Sequence, residues 1–248
     1  MNTKSAPMPR TAIVLAAGLG KRMRPVTDTM PKPLVPVAGK PLIDHALDTL
    51  ADAGVTRAVV NVHYLADMLE AHLADRTVPE ITVSDERGQL LDSGGGFAKA
   101  MRLVDDGPVL LLNADTFWID APGHDALRAL AETWDPARMD LLLLMVPLDR
   151  TVGHTGRGDF GIMGGEGSGR LEWSKEGDVY AGAAIASPAL LKGDEPEAYS
   201  FGRHFNAAME AGRLHGVRME GLWLTVGTPQ AIGEAEAAVR AYRERSAA

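Results

Sequence analysis

Apolar positions along the chain fall into short unbroken runs, separated by stretches in which they recur every three or four residues. The runs TAIVLAAG at 11–18, RAVVNV at 57–62, PVLLLNAD at 108–115 and DLLLLMVP at 140–147 read as strands buried on both faces, the pattern of a parallel sheet covered by helices. Weaker strands are predicted at 81–85 and 180–187, and one or two more at 214–226. Between them, Leu42, Ile43, Ala46, Leu47 and Leu50 stand at helical spacing and stop before Gly54, a C-capping glycine. Further helices are predicted at 64–73, 97–103, 124–134, 201–211 and 229–243. The glycine-rich DSGGG at 92–96 reads as a break ahead of its helix, and the glycine-rich 153–169 as a hairpin or flap.

Alternating strands and helices with short connections predict an α/β fold: a doubly wound, mainly parallel, Rossmann-like sheet in a three-layer sandwich, with its site at the strand C-terminal ends. One domain spanning 1–248 is expected, with a flexible segment at 1–10 and a substrate-side region at about 150–228 of the same sheet. No internal repeat or low-complexity linker interrupts it.

Composition narrows the function classes. A hydrophobic share of 46% supports a sizeable core, and 25 Lys plus Arg against 33 Asp plus Glu leave a net charge of −8, which disfavours nucleic acid as a partner. The chain has no cysteine, so disulfides, thiolate metal sites and a cysteine nucleophile are excluded. With no signal-peptide pattern and no long apolar run, the expectation is a cytoplasmic protein without membrane contact, monomeric or a small homo-oligomer.

The most informative stretch is LAAGLGKRMRPVTDTMPKPLVPVAGKP at 15–41, directly after the first strand. Gly18 and Gly20 permit a tight turn with exposed N–H groups, and Lys21, Arg22, Arg24 and Lys32 supply charge against phosphates. Pro25, Pro31, Pro33 and Pro36 stiffen the loop. A solvated basic loop is the plain alternative. The dinucleotide fingerprint would need glycine at Met23, and the phosphate-binding P-loop a Gly-Lys-Ser/Thr that is missing. An NAD enzyme would also place an acidic residue at the end of its second strand, where Val62 and His63 stand.

The stretch resembles the signature of sugar-1-phosphate nucleotidyltransferases, L-A-A-G-x-G-x-R-x-x-P-x-T followed by P-K-P-L-x-P-V. The resemblance implies that a nucleoside triphosphate and a sugar 1-phosphate give a nucleotide sugar and pyrophosphate. Arg22 would hold the triphosphate, Lys32 would contact the phosphoryl group under attack, and Leu15, Ala17, Gly18, Gly20 and Lys21 would line the nucleotide. LLDSGGGFAKA at 90–100 is similar to the family's base loop, with Gly94 and Gly95 as nucleotide-binding candidates. Asp115, at the end of LLLNAD, resembles the aspartate that binds Mg2+ (or Mn2+); a strand-end turn would equally use an aspartate.

WLTVGTPQ at 223–230 departs from the family's W-x-D-V-G-T-P, because Thr225 replaces the second metal-binding aspartate. Weaker magnesium affinity or slower turnover is expected, or a non-catalytic binding protein that keeps the pocket. VGHTGRGDFGIM at 152–163 is similar to a stretch of the bacterial N-acetylmuramate 1-phosphate uridylyltransferases, which recycle cell-wall muramic acid in peptidoglycan. On that likeness Arg157 would meet an anionic sugar substituent and Asp159 sugar hydroxyls, with Lys175 and Gly182 on the sugar-phosphate side. A hairpin in which Arg157 and Asp159 pair with each other is the alternative. Guanylyl or cytidylyl transfer to mannose, heptose or polyol phosphates is the competing activity.

Overall fold

The computed structural model describes residues 7–105, 107–164, 167–191 and 195–246. In chain order the elements are β1 (Thr11–Leu15), β2 (Pro36–Val37), β3 (Lys40–Pro41), α1 (Leu42–Asp52), β4 (Arg57–Val62), α2 (Ala66–Leu73), β5 (Glu80–Asp85), α3 (Asp92–Met101), β6 (Val109–Asn113) and β7 (Thr116–Asp120). They continue with α4 (Ala126–Thr133), β8 (Leu141–Val146), β9 (Thr151–Val152), β10 (Phe160–Ile162), β11 (Ser168–Trp173), β12 (Val179–Ala186), α5 (Gly202–Glu210), β13 (Leu214–Arg218), β14 (Gly221–Thr225) and α6 (Pro229–Ser246).

Nine strands form one sheet in the order β10-β11-β13-β8-β12-β6-β1-β4-β5, with β11 and β12 running against the other strands. Alternation along each strand divides the core. Ala12, Val14 and Val60 pack with α1, α2 and α4 on one face, whereas Ile13, Val59 and Leu111 pack with α3 and α5 on the other. The chain steps outward from β1 to β4 and β5, then returns to add β6 on the far side of β1. This reversal leaves a crevice beyond the C-terminal ends of β1 and β6, where ligands of such sheets bind.

Two features differ from the sequence reading. DSGGG is no break: α3 begins at Asp92, so Gly94, Gly95 and Gly96 are its buried first turns. Their helical state is set by tertiary contact, since side chains there would run into Tyr199, the Glu197 carbonyl and the Asn61–Glu86 pair. β7 was also not expected. It pairs with β14, which pairs with β9, in a small second sheet beside the site. The hairpin anticipated at 153–169 is β10 and β11, paired Phe160 to Trp173; Gly165 and Glu166 lie outside the described residues. Of the segment at 1–10, residues 1–6 also lie outside them, while Met8 packs against the core. Among the described residues no helix is long and apolar enough to cross a membrane.

A third core cluster joins the first loop to the second sheet: Met23, Val35, Val37 and Leu42 pack with Phe117, Leu224, Val226 and Ala235 and Val239 of α6. His45 of α1 is buried in this contact, its ring stacked on Phe117 at a centroid distance of 4.0 Å and its Nε2 donating to the Val37 carbonyl at 2.9 Å. Burial holds its pKa below the ordinary 6.5, against the raising effect of the hydrogen bond. Burial likewise lowers His215. An unfolded chain therefore takes up these protons before the folded one. Unfolding free energy is expected to be full above pH about 6.5 and to fall below it, by at most about 1.4 kcal/mol per pH unit for each histidine. Urea unfolding of the protein and of His45→Gln at pH 7.5, 6.5 and 5.5 checks this: the variant should lose part of the slope, and a flat profile contradicts it.

Candidate active site

The first loop leaves β1 through Ala16 and Ala17, whose amides donate to one acceptor, the buried Asn61 Oδ1 at the end of β4, at 2.6 and 3.2 Å. Asn61 Nδ2 in turn donates to Glu86 Oε1 at 2.7 Å, and the Leu91 amide donates to Glu86 Oε2 at 3.1 Å. One buried carboxylate thus ties the first loop to the entrance of α3. Burial pushes its pKa up, opposed by the hydrogen bonds from Asn61 and Leu91.

Gly18 follows with open space where a side chain would be, and Gly20 takes a left-handed φ of 61°. A β-carbon at Gly20 would stand 2.9 Å from Thr27 Cγ2, and Thr27 Oγ1 donates back to the Gly20 carbonyl at 2.8 Å. Short turns at Lys21–Met23, Val26–Asp28 and Lys32–Leu34 then carry the loop across the crevice. Lys21 and Arg22 remain exposed while Met23 is fully buried, so the core anchors the loop between its cations.

Lys32 is almost buried, 9% exposed, and its ammonium lies 2.6 Å from Asp115 Oδ2. Asp115 sits in the turn between β6 and β7. Thr225 pairs with Thr116 across β14 and β7, and the next amide, Val226 N, donates to the Asp115 carbonyl at 3.2 Å. The Arg22 guanidinium lies against Gly227, just beyond β14. Glu220 is not a substitute acid, since it pairs with Arg150.

A cavity of about 420 Å³ opens between these groups, lined by Leu15, Ala17, Gly18, Lys32, Asn113 and Asp115 among others, with Leu90, Asp92 and Ser93 at its far side. Gly94 and Gly95 stand behind that side, and both amides donate to the Tyr199 carbonyl, at 2.8 and 3.3 Å. A second cavity of about 330 Å³ shares Leu15, Ser93 and Asn113 with the first and is walled by Phe160, Trp173, Tyr180 and Phe205. Asp159 is its charged lining residue, held by the Tyr180 amide at 2.9 Å. Arg157 pairs with Glu176 at the surface rather than with Asp159, and Lys175 is exposed; neither lines the cavity. Gly182, at φ 77° in a bulge of β12, lies beneath Asn113, where a side chain would meet Thr116 Oγ1 at 2.7 Å.

The sequence does not mark Asn61, Glu86 or most of the aromatic wall as site residues, and Asn113 and Phe160 stand in it only as members of the matching stretches. The wall's rings lie on four elements, β10, β11, β12 and α5, and only folding turns them toward one cavity. The polar Asn61 within the otherwise apolar AVVNV at 58–62 is the local sign.

Residues 11–152 match the family model described as nucleotidyl transferase. The chain is 44% identical to the N-acetylmuramate alpha-1-phosphate uridylyltransferase of Caulobacter vibrioides, over 92% of this chain and 96% of that one. It is 34% identical to the protein of the same name from Neisseria meningitidis serogroup B, over 94% and 99%. Among solved structures, the inositol-1-phosphate CTP transferase from T. maritima has the same fold, with a TM-score of 0.75 at 22% identity and 96% coverage of each chain. With a family model over more than half its length and these relatives along nearly all of it, the chain belongs to the nucleotidyl transferase family.

Proposed function

We propose that this protein transfers a uridylyl group from UTP to N-acetylmuramate 1-phosphate, in the cytoplasm, for reuse of cell-wall muramic acid. For the substrates, the 44% identity to a uridylyltransferase of that specificity carries the reading. For the chemistry, the support is the meeting of Lys32 and Asp115 at the crevice between β1 and β6, on the loop that also carries Arg22.

In this reading a sugar-phosphate oxygen attacks the α-phosphorus in line. A new P–O bond forms, the bond from the α-phosphorus to the bridging oxygen breaks, and pyrophosphate leaves with the electron pair. The attacking phosphate is already anionic, so positioning and charge neutralisation matter more than a general base. Arg22 neutralises the departing pyrophosphate. Lys32 faces the α-phosphoryl oxygens. The amides of the first loop turn toward the nucleotide because Asn61 holds Ala16 and Ala17 in place.

The donor set fits a magnesium ion shared with the nucleotide: Asp115 is one hard oxygen ligand, and magnesium is commonly bound through one or two carboxylates plus substrate phosphates. When bound, the ion would offset phosphate charge at the α-phosphorus. The sugar lies in the adjoining cavity, its ring against Phe160, Trp173, Tyr180 and Phe205 and its hydroxyls toward Asp159. Among the described residues no Lys or Arg lines that cavity, so the muramate carboxylate turns to Arg157. The exposed Arg157–Glu176 pair is worth about 0–1 kcal/mol, so exchanging it for a ligand carboxylate costs little.

Three outcomes are expected. Pyrophosphate release measured with four nucleoside triphosphates and a panel of sugar 1-phosphates should be fastest with UTP and N-acetylmuramate 1-phosphate; GTP with mannose 1-phosphate as the best pair would transfer the reading to guanylyl transfer, and no release with any pair would reject catalysis. Asn61→Ala strips the acceptor from two loop amides and should raise KM for UTP roughly tenfold, at about 1–3 kcal/mol for an unpaired buried group. Arg157→Ala should raise KM for N-acetylmuramate 1-phosphate roughly tenfold and leave N-acetylglucosamine 1-phosphate, which has no carboxylate, unchanged. Equal effects on both sugars would remove Arg157 from carboxylate recognition.

A further inference from the structure

The charges around Asp115 do not add up to a metal site in the protein alone. The Asp115 carboxylate is already paired with one cation, the Lys32 ammonium at 2.6 Å, so the two cancel. Thr225, beside Asp115 across the β7–β14 pairing, brings no charge. Among the described residues no group of three or more His, Cys, Asp or Glu could hold a metal ion. Magnesium gives up its water reluctantly and needs negative charge in return. An aspartate at position 225 would supply it. A threonine does not.

A nucleoside triphosphate would change both sides of this balance. Its oxygens supply the missing anionic ligands, and they offer Lys32 an anion of higher charge than Asp115. Resting on the nucleotidyl-transfer reading, we propose that the divalent-metal site is assembled by the nucleotide. In the free protein Lys32 is the internal counter-ion of Asp115. Arrival of the triphosphate draws Lys32 away, and Asp115 then becomes a metal ligand. Thr225 is the residue that makes metal binding conditional, because it keeps the empty site from carrying net negative charge.

Mn2+ binding to the full chain, followed by the loss of the free-ion electron paramagnetic resonance signal, tests this with and without the α,β-imido analogue of UTP. The wild-type protein should bind no Mn2+ alone at sub-millimolar concentration, and should bind it with the analogue at least about tenfold more tightly than the analogue does by itself. Thr225→Asp and Lys32→Met each lower the site charge by one, from opposite sides. Each should gain Mn2+ binding without nucleotide, and one suffices if the other fails to fold. Wild-type protein that takes up Mn2+ alone as well as Thr225→Asp does, or folded variants that gain nothing, would overturn the proposal while leaving nucleotidyl transfer standing. Failure of every triphosphate to bind would overturn both.

Discussion

The ion pair between Lys32 and Asp115 joins two loops that are 83 residues apart in sequence and are held by different strands. A nearly buried ammonium is tolerable only with a partner: removing one member of a buried pair costs about 3–5 kcal/mol, and less here because the Asp115 side chain is 40% exposed. The pair therefore requires the first loop to cross the crevice at one height and the β6–β7 turn to face it. What enforces both is apolar packing. Met23, Val35 and Val37 from the loop meet Phe117, Leu224 and Val226 from the second sheet, and His45 bridges them through its stack on Phe117.

The other side of the crevice is organised by a single buried carboxylate. Glu86 accepts from Asn61 and from the Leu91 amide, so the strand-end asparagine that orders Ala16 and Ala17 is itself oriented by the segment leading into α3. Gly96 is part of this design, since a β-carbon there would lie 2.7 Å from Asn61 Nδ2 and 2.8 Å from Glu86 Oε1. The glycines of α3 thus serve close packing, whatever else they do for a ligand.

The two adjoining cavities contrast in chemistry. The first is lined by the first loop, by Lys32 and by the carboxylates of Asp92 and Asp115, and is the one assigned to the phosphates in the proposed reading. The second is aromatic with Asp159 at its edge, a setting for a sugar ring. Asn113 lies at their boundary, beside the Lys32–Asp115 pair, where the two substrates would meet.

Sequence alone determined the doubly wound layout, because both-face burial leaves continuous apolar runs, and it singled out the first loop as the candidate for phosphates, because glycines, prolines and cations crowd together there. It also located Asp115 and exposed the departure at Thr225, since both are local. Tertiary structure decided the rest: that DSGGG is helical, that Arg157 faces Glu176 and not Asp159, and that Asn61, Glu86 and the aromatic wall belong to the site. These depend on contacts between residues far apart in the chain, which pack and pair only after the sheet has brought them together, and no local pattern encodes such a meeting.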